Sequence, residues 1–386
     1  MIVLFYTATA YLDISLEIIN ILKSRVELHV LIEITEGSKK HNIINIDKLP
    51  ETEIFVPANV LISNEAYKNF SPYFDEAASV NFVVHARKNV LSSLTVLNRM
   101  RQFVNTLNPD VFHLEAMMVR SLGLIPAILR CKKLLISIHD PLPHSGEKDW
   151  KIGITKLLLY NLPIKKGFFF YSKFARDLFD KHSNQRKEKR HVVIMGSYSY
   201  FSRLLNTKSE ARKYILLFGR LSPYKGIESL LKAMTEVWKV YPNETLVIAG
   251  KSYKNYVPEL NLVDQTLGKI NMMNYYISND TLAGLIDESK FVVCPYTDAT
   301  QSGVLMTAFA LNKPVIATNT GAFPEYINDG VDGLIVPVND AAALSKAIIK
   351  ALHDNYFTLL EQNIALKNKH NSWEQNIPLF LNAYSS

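Results

Sequence analysis

Two stretches hold residue types that handle phosphate. The first is Gly219-Arg220-Leu221-Ser222-Pro223-Tyr224-Lys225-Gly226, which follows an apolar run over 214–218 and precedes a helix expected over 227–240. Arg220 offers a planar fork of donors and Lys225 a compact cation. The second is Thr297-Asp298-Ala299-Thr300-Gln301-Ser302-Gly303, a polar loop between a strand expected over 291–295 and an apolar helix over 304–311. A helix start presents unpaired N–H groups and the positive end of its dipole. Ser302 and Gly303 keep that backbone uncluttered, so a phosphate can touch it. Two cations and a helix start make a diphosphate cradle, with charge-assisted hydrogen bonds of about 1.5–3 kcal/mol each. A plain crossover loop and a solvated turn with two surface cations would read the same way. His139-Asp140 closes an apolar run over 133–138. A histidine there serves either a site or the structure, and His113 and His144 read as structural residues.

These residues need a frame that brings them to one edge. Short apolar runs stopped by proline or glycine alternate with helical periodicity along the chain. Strands are expected over 2–6, 26–34, 110–113, 133–138, 167–171, 214–218, 245–249, 291–295 and 314–318. Helices are expected over 16–24, with Asp13 or Ser15 as cap, and over 90–107, 118–129, 173–181 (capped by Ser172), 227–240, 341–353 and 372–384. Residues 51–80 give weak signals. Repeated strand–helix alternation predicts an α/β chain with parallel sheets covered on both faces, and open sheets of this kind bind ligands at the carboxyl edge. The charged segments 182–190 and 197–213 mark a boundary zone between halves.

The chain has 386 residues, 48% hydrophobic and 20% charged, with a formal charge of +7 and pI near 9.0. That length suits about two domains. The modest positive charge fits an anionic ligand or surface, but basic residues are scattered and no nucleic-acid reader motif occurs. Cys131 and Cys294 sit in apolar surroundings and read as buried thiols. No Cys/His set has metal-site spacing. The N-terminal MIVLFYTATAYLD lacks a basic start and reads as a first strand, not a signal peptide. No apolar stretch reaches the roughly 18 residues of a spanning helix.

The segments FGRLSPYKGIESLLKAM, LVIAG and FVVCPYTDATQSGVLMTAFALNKPVIATNTGAFPEYINDGVDGLIVPVNDAAALSKAI resemble, in order, the donor-binding half of family 4 retaining glycosyltransferases. The likeness is strong over 214–352. It is weak in the first half, through Asp110-Val111-Phe112-His113, Ile138-His139-Asp140 and Tyr171-Ser172-Lys173-Phe174. It implies the GT-B architecture, two Rossmann-like domains facing a cleft. Residues 1–200 would bind the acceptor and 201–365 the donor, with a helix in 366–386 packing back on the first domain.

The resemblance also assigns roles. Arg220 and Lys225, beside Gly219, match cations that hold the donor diphosphate. Gly303 and Val304 match helix-start amides that meet the phosphates. His139 matches a histidine near the donor sugar, and Glu325 a carboxylate in the loop of GAFPEYI. Tyr276, Ile277 and Ser278 lie where the family grips the nucleobase. Many members carry two glutamates framing seven residues; here the positions hold Ala299 and Thr307. Asp298 stands one residue before the first. Thr307 offers a ribose one hydroxyl bond, about 0.5–1.5 kcal/mol net. Gln301 and Ser302 add polar groups suited to a sugar.

The activity implied is metal-independent transfer of a hexose from a UDP- or GDP-linked donor to a glycan or lipid-linked acceptor, as in bacterial surface polysaccharide synthesis. A non-catalytic GT-B subunit and a sugar-nucleotide epimerase are the alternatives. No cofactor, metal or nucleic-acid partner is expected. The setting is cytoplasmic, extending to an anionic membrane surface at the inner face. In 150–170 Lys151, Lys156, Lys165 and Lys166 alternate with large apolar groups. That pattern fits lipid contact, and equally a core helix with lysines on its outer face.

Overall fold

The computed structural model describes residues 1–386 apart from 41, 45, 87–89, 143–149, 186, 206–208, 255, 260–268 and 371–372. His144 therefore lies outside the described residues, as does the start of the helix expected over 372–384.

The chain is α/β and builds two sheets. The first contains β1 (Ile2–Ala8), β2 (Glu27–Thr35), β3 (Phe55–Pro57), β4 (Ser79–His85), β5 (Val111–Leu114), β6 (Lys133–Ile138), β7 (Lys166–Phe170) and β8 (Lys189–Val192). Their order is β3-β4-β2-β1-β5-β6-β7-β8, parallel except for the edge strand β3. The second contains β9 (Tyr214–Phe218), β10 (Thr245–Ala249), β11 (Lys269–Met273), β12 (Ser289–Cys294), β13 (Val315–Thr318) and β14 (Gly333–Val336), in the parallel order β11-β10-β9-β12-β13-β14. Alternation along each strand feeds two layers. Val3 and Phe5 enter one apolar cluster and Leu4 and Tyr6 another; Leu216 and Phe218 face away from Ile215 and Leu217. The cluster holding Val3 and Phe5 also holds Leu216 and Phe218, so one apolar layer is shared by both halves. The helix Ile377–Ser385 lies against the first sheet, with the rings of Phe380 and Phe169 4.8 Å apart.

Several local expectations need correction. The first helix is Leu12–Leu22, so Asp13 and Ser15 lie inside it. Ser15 Oγ donates to the Tyr11 carbonyl and meets Thr7 Oγ1 at 2.7 Å, a buried contact that replaces a capping role. Residues 118–129 form no continuous helix: Val119–Leu124 is 3₁₀ and Ile125–Ile128 a single α turn. Pro126 lacks the N–H and fixes its own φ, which resets the chain there. The weak region 51–80 contains the helix Asn64–Phe74 and leads into β4, which pairs with β2 over seven residues. The C-terminal helix starts at Ile377 after a 3₁₀ turn, with Pro378 in its first turn.

The helix Trp150–Tyr160 does not follow the core-helix reading, in which apolar groups face inward and lysines outward. Trp150 is 71% exposed and Leu157 63%, with Ile154 and Leu158 also exposed. Lys156 instead turns inward and donates to the Asp140 carbonyl. Among the described residues no helix is long and apolar enough to cross a membrane.

Glu17, buried on the first helix, accepts from the Ser199 N–H at 2.7 Å and hydroxyl at 2.8 Å, on the segment joining the two sheets. Burial, only partly offset by these bonds, pushes its carboxyl up to about 7. A raised carboxyl contributes its stability in full below the unfolded value near 4.5 and loses it as pH rises through about 7. Glu17→Gln keeps the acceptor and removes the buried charge. It is expected to stabilise the fold at pH 8.5 by up to about 3 kcal/mol and to change little at pH 5. Equal losses of melting temperature at both pH values would contradict this.

Candidate functional site

The second sheet reverses its strand order between β9 and β12, where an open parallel sheet leaves a crevice at its carboxyl edge. The two sequence stretches follow these two strands. After β9 the backbone turns at Gly219 (φ +103°), passes the 3₁₀ turn Pro223–Lys225 and enters the helix Ile227–Val240 through Gly226. After β12 the loop from Pro295 ends at Ser302, whose hydroxyl accepts from the Leu305 N–H and caps the helix Gly303–Ala310. The Thr297 N–H donates to the Tyr224 carbonyl at 2.8 Å and ties turn to loop. A Cβ placed on Gly219 would lie 3.2 Å from Val304 Cγ2 and 3.9 Å from Lys225 Nζ. Gly219, Lys225 and Val304 therefore meet at one point.

Lys225 is only 6% exposed. Its ammonium lies 3.9 Å from the centroid of the Tyr296 ring and donates to the Tyr296 hydroxyl. Arg220 is exposed, its guanidinium 4.7 Å over the Tyr253 ring. Beside them opens a cavity of about 380 Å³, lined by Gly219, Arg220, Gly250, Tyr253, Tyr276 and Ile277 among others. An aromatic wall, buried aliphatic Ile277 and a flanking guanidinium suit a planar base with a phosphate beyond it.

The first half closes over this edge. His139, buried after β6, has Nδ1 2.9 Å from Gln301 Nε2 and Nε2 3.0 Å from Glu115 Oε1. Tyr11 packs on the same imidazole, with ring centroids 4.3 Å apart. Asp13 faces the helix start, its Oδ2 3.6 Å from where a Gly303 Cβ would stand, and burial pushes its carboxyl up.

Other candidates have prior engagements. Thr307 is buried and its hydroxyl donates to the Gly303 carbonyl at 2.9 Å, so toward a ribose it can only accept. Ala299 is buried, with Gly321 packed on its carbonyl, and Asp298 is half-buried in the loop. Glu325 does not line the cavity: its carboxylate accepts from the Lys173 and Phe174 N–H groups at 2.7 and 2.6 Å, and so caps the helix Lys173–His182 of the first half. Tyr276 donates to the Asn42 carbonyl, and Ser278 caps the helix Asn279–Glu288. Sequence reasoning passed over Glu115, Tyr253 and Tyr296, and read Asp13 only as a helix cap. Glu115 had a signal, a carboxylate one residue beyond a buried strand at the same edge as His139; Tyr296 had a weaker one, a hydroxyl-bearing ring two residues beyond the strand ending at Cys294.

Two facing Rossmann-like halves of this kind define the GT-B architecture, and the structure of Anabaena HepE in complex with UDP and glucose shares it, at TM-score 0.69 and 16% identity over 99% of this chain and all of that one. At the sequence level, residues 212–354 match the family model for glycosyl transferases group 1. An uncharacterized glycosyltransferase of Methanocaldococcus jannaschii is 29% identical over 235 residues, 58% of this chain and 63% of that protein. The GDP-mannose:glycolipid 4-beta-D-mannosyltransferase of Xanthomonas campestris pv. campestris is 28% identical over 161 residues, 40% of this chain and 45% of that protein. The matches thus span less than two thirds of the length of these curated relatives.

Proposed function

We propose that this protein is a retaining hexosyltransferase that takes its sugar from a nucleoside-diphosphate donor, without a metal, and passes it to a glycan or lipid-linked acceptor in the synthesis of a surface polysaccharide. The convergence of Gly219, Lys225 and Val304 beside the 380 Å³ cavity carries this reading. Arg220 and Lys225 would neutralise the charge growing on the departing diphosphate, the main electrostatic task of the reaction. The first amides of the helix Gly303–Ala310 would bind the same group. His139 and Gln301 would meet the sugar. The GDP-mannose used by the Xanthomonas relative and the UDP and glucose bound in HepE support a nucleotide-sugar donor.

Thermal unfolding with UDP, GDP and their sugars tests the donor site. A nucleotide at 100 times its dissociation constant adds about 2.7 kcal/mol, so one base should raise the melting temperature clearly above the other. No shift with either at millimolar concentration would end the reading. A supporting, non-catalytic subunit is the second reading, favoured by the engaged hydroxyl of Thr307 and the buried Ala299. Donor hydrolysis or transfer by the purified chain alone excludes it.

The same reading places the chain on the cytoplasmic face of a membrane. Trp150, Ile154, Leu157 and Leu158 recur at helical spacing and leave an apolar stripe in solvent, with exposed Lys151 beside it. Each cation near an anionic lipid surface contributes about 1 kcal/mol. The protein is expected to float with phosphatidylglycerol liposomes at low salt, and the double change Trp150→Glu with Leu157→Glu to abolish this. Wild-type protein that stays at the bottom of the gradient at low salt would remove the membrane from the reading.

A further inference from the structure

Glu115 follows β5, is fully buried, and is a carboxylate at the centre of a polar cluster. The Tyr171 hydroxyl lies 2.6 and 2.7 Å from its two oxygens, and His113 Nε2 3.5 Å from Oε2. Its Oε1 lies 3.0 Å from His139 Nε2, and its own carbonyl oxygen 3.1 Å from the same nitrogen. With two acceptors against it, Nε2 carries hydrogen. A neutral ring would then leave Nδ1 as an acceptor for the Gln301 amide NH₂, whereas a charged ring has a second hydrogen on Nδ1 and needs an acceptor there. Gln301 Oε1 is buried without a hydrogen-bond partner. Turning that amide over would bring Oε1 onto Nδ1–H of a charged ring.

We propose that Glu115 is a positioning residue for the transfer reaction: it holds His139 with Nε2–H turned into the protein and Nδ1–H presented to the cleft, where a donor-sugar hydroxyl takes the place of Gln301. The proposal rests on the reading that the cleft holds a sugar nucleotide. The chemical gain is specific. A charged imidazole is a strong hydrogen-bond donor. Paired with a carboxylate, it adds no net positive charge beside a sugar carbon that becomes oxocarbenium-like.

The groups facing His139 are Tyr11 and Asp13 from the first loop and helix, Glu115 from the end of β5 with His113 against its other oxygen, Asp140 beside it, Tyr171 from the end of β7 and Gln301 across the cleft. Burial works against the charged ring, but the hydrogen bond and charge of Glu115, with Asp140, raise His139 above the ordinary histidine value. Burial likewise works against the Glu115 carboxylate, and His113 and His139 bring its carboxyl down to about 2. The raised histidine contributes stability in full below about 6.5 and loses it as pH rises through the folded value. The lowered carboxyl contributes above about 4.5 and loses it as pH falls through about 2.

The test follows the histidine Cε1–H signals of the labelled full chain from pH 5 to 9, with His139→Gln to assign the peak. Wild-type His139 should titrate above pH 6.5, and in Glu115→Gln its midpoint should fall by a unit or more. A wild-type midpoint at or below 6.5 overturns the proposal even if that variant fails to fold, and so does an unmoved midpoint in the folded variant. With UDP-glucose or GDP-mannose as probe, Glu115→Gln should lower kcat for donor hydrolysis about 10- to 100-fold with KM little changed, and move the basic limb of the pH profile by the shift seen in the titration. A profile that stays in place while the titration moves reduces Glu115 to a structural partner. If wild-type protein hydrolyses neither donor, the functional reading fails separately, and the titration still decides whether Glu115 governs His139.

Discussion

Lys225→Ala is expected to lower sugar-nucleotide turnover by on the order of 10²–10³, the loss seen when one preorganised donor to a developing negative charge is removed. The side chain is a cation held at 6% exposure, which is unusual unless an anion or an aromatic face compensates it. Tyr296 supplies the face, 3.9 Å from the ammonium, and Gly219 and Val304 lie close by. A diphosphate arriving there would meet a charge that is already partly desolvated. Saturating-donor kcat is the quantity to measure, with a melting curve to show that the variant is folded. Activity within a few-fold of wild type would sink the assignment of Lys225 to the leaving group.

Gly226→Ala should be strongly damaging. The backbone is left-handed at φ +66°, and a Cβ would stand 1.9 Å from the Pro295 carbonyl oxygen. Left-handed backbone costs an L-residue about 1–2 kcal/mol. The overlap is with backbone, so no rotamer relieves it, and the turn must move away from the 295–302 loop. A total loss of about 3 kcal/mol or more is expected. Because Lys225 is the preceding residue, donor affinity should fall with stability. Gly284→Ala is the control: nothing lies within 4 Å of its Cβ position, and as an interior residue of the helix Asn279–Glu288 it should gain about 0.5–1 kcal/mol. Chemical denaturation of the two variants reads both values. Similar melting of Gly226→Ala and wild type would show that the turn is not clamped against Pro295.

Much of the donor half is legible because its signals are local. Tyr214–Phe218, Thr245–Ala249 and Ile227–Val240 occupy their expected limits, since each is an apolar or amphipathic run ended by glycine, proline or a charged cluster. Ser172 caps its helix as expected, because that bond reaches only three residues along the chain. β4 and β11 are not among the expected strands, although Ser79-Val80-Asn81-Phe82 and Lys269-Ile270-Asn271-Met272 alternate polar and apolar residues: the alternation runs for only about two periods and lacks the apolar run that marks the central strands. Their assignment as strands comes from pairing with β2 and β10, partners remote in sequence.

By itself, then, the chain's order of residues determined the α/β class, the strand–turn–helix units and the two turns that could carry phosphate chemistry. Each of these depends on neighbours within a few residues, through backbone sterics, caps and hydrophobic period. Only the tertiary structure decided which partner each polar group takes. Glu325 reaches a helix start about 150 residues away, His139 pairs with Glu115 after 24 residues of intervening topology, and Thr307 turns its hydroxyl into its own helix. It also decided that Trp150 and Leu157 face solvent while Lys156 turns inward. Burial and hydrogen-bond satisfaction are properties of the assembled layers, so a reading of residue types and spacing finds the candidate groups but not their engagements.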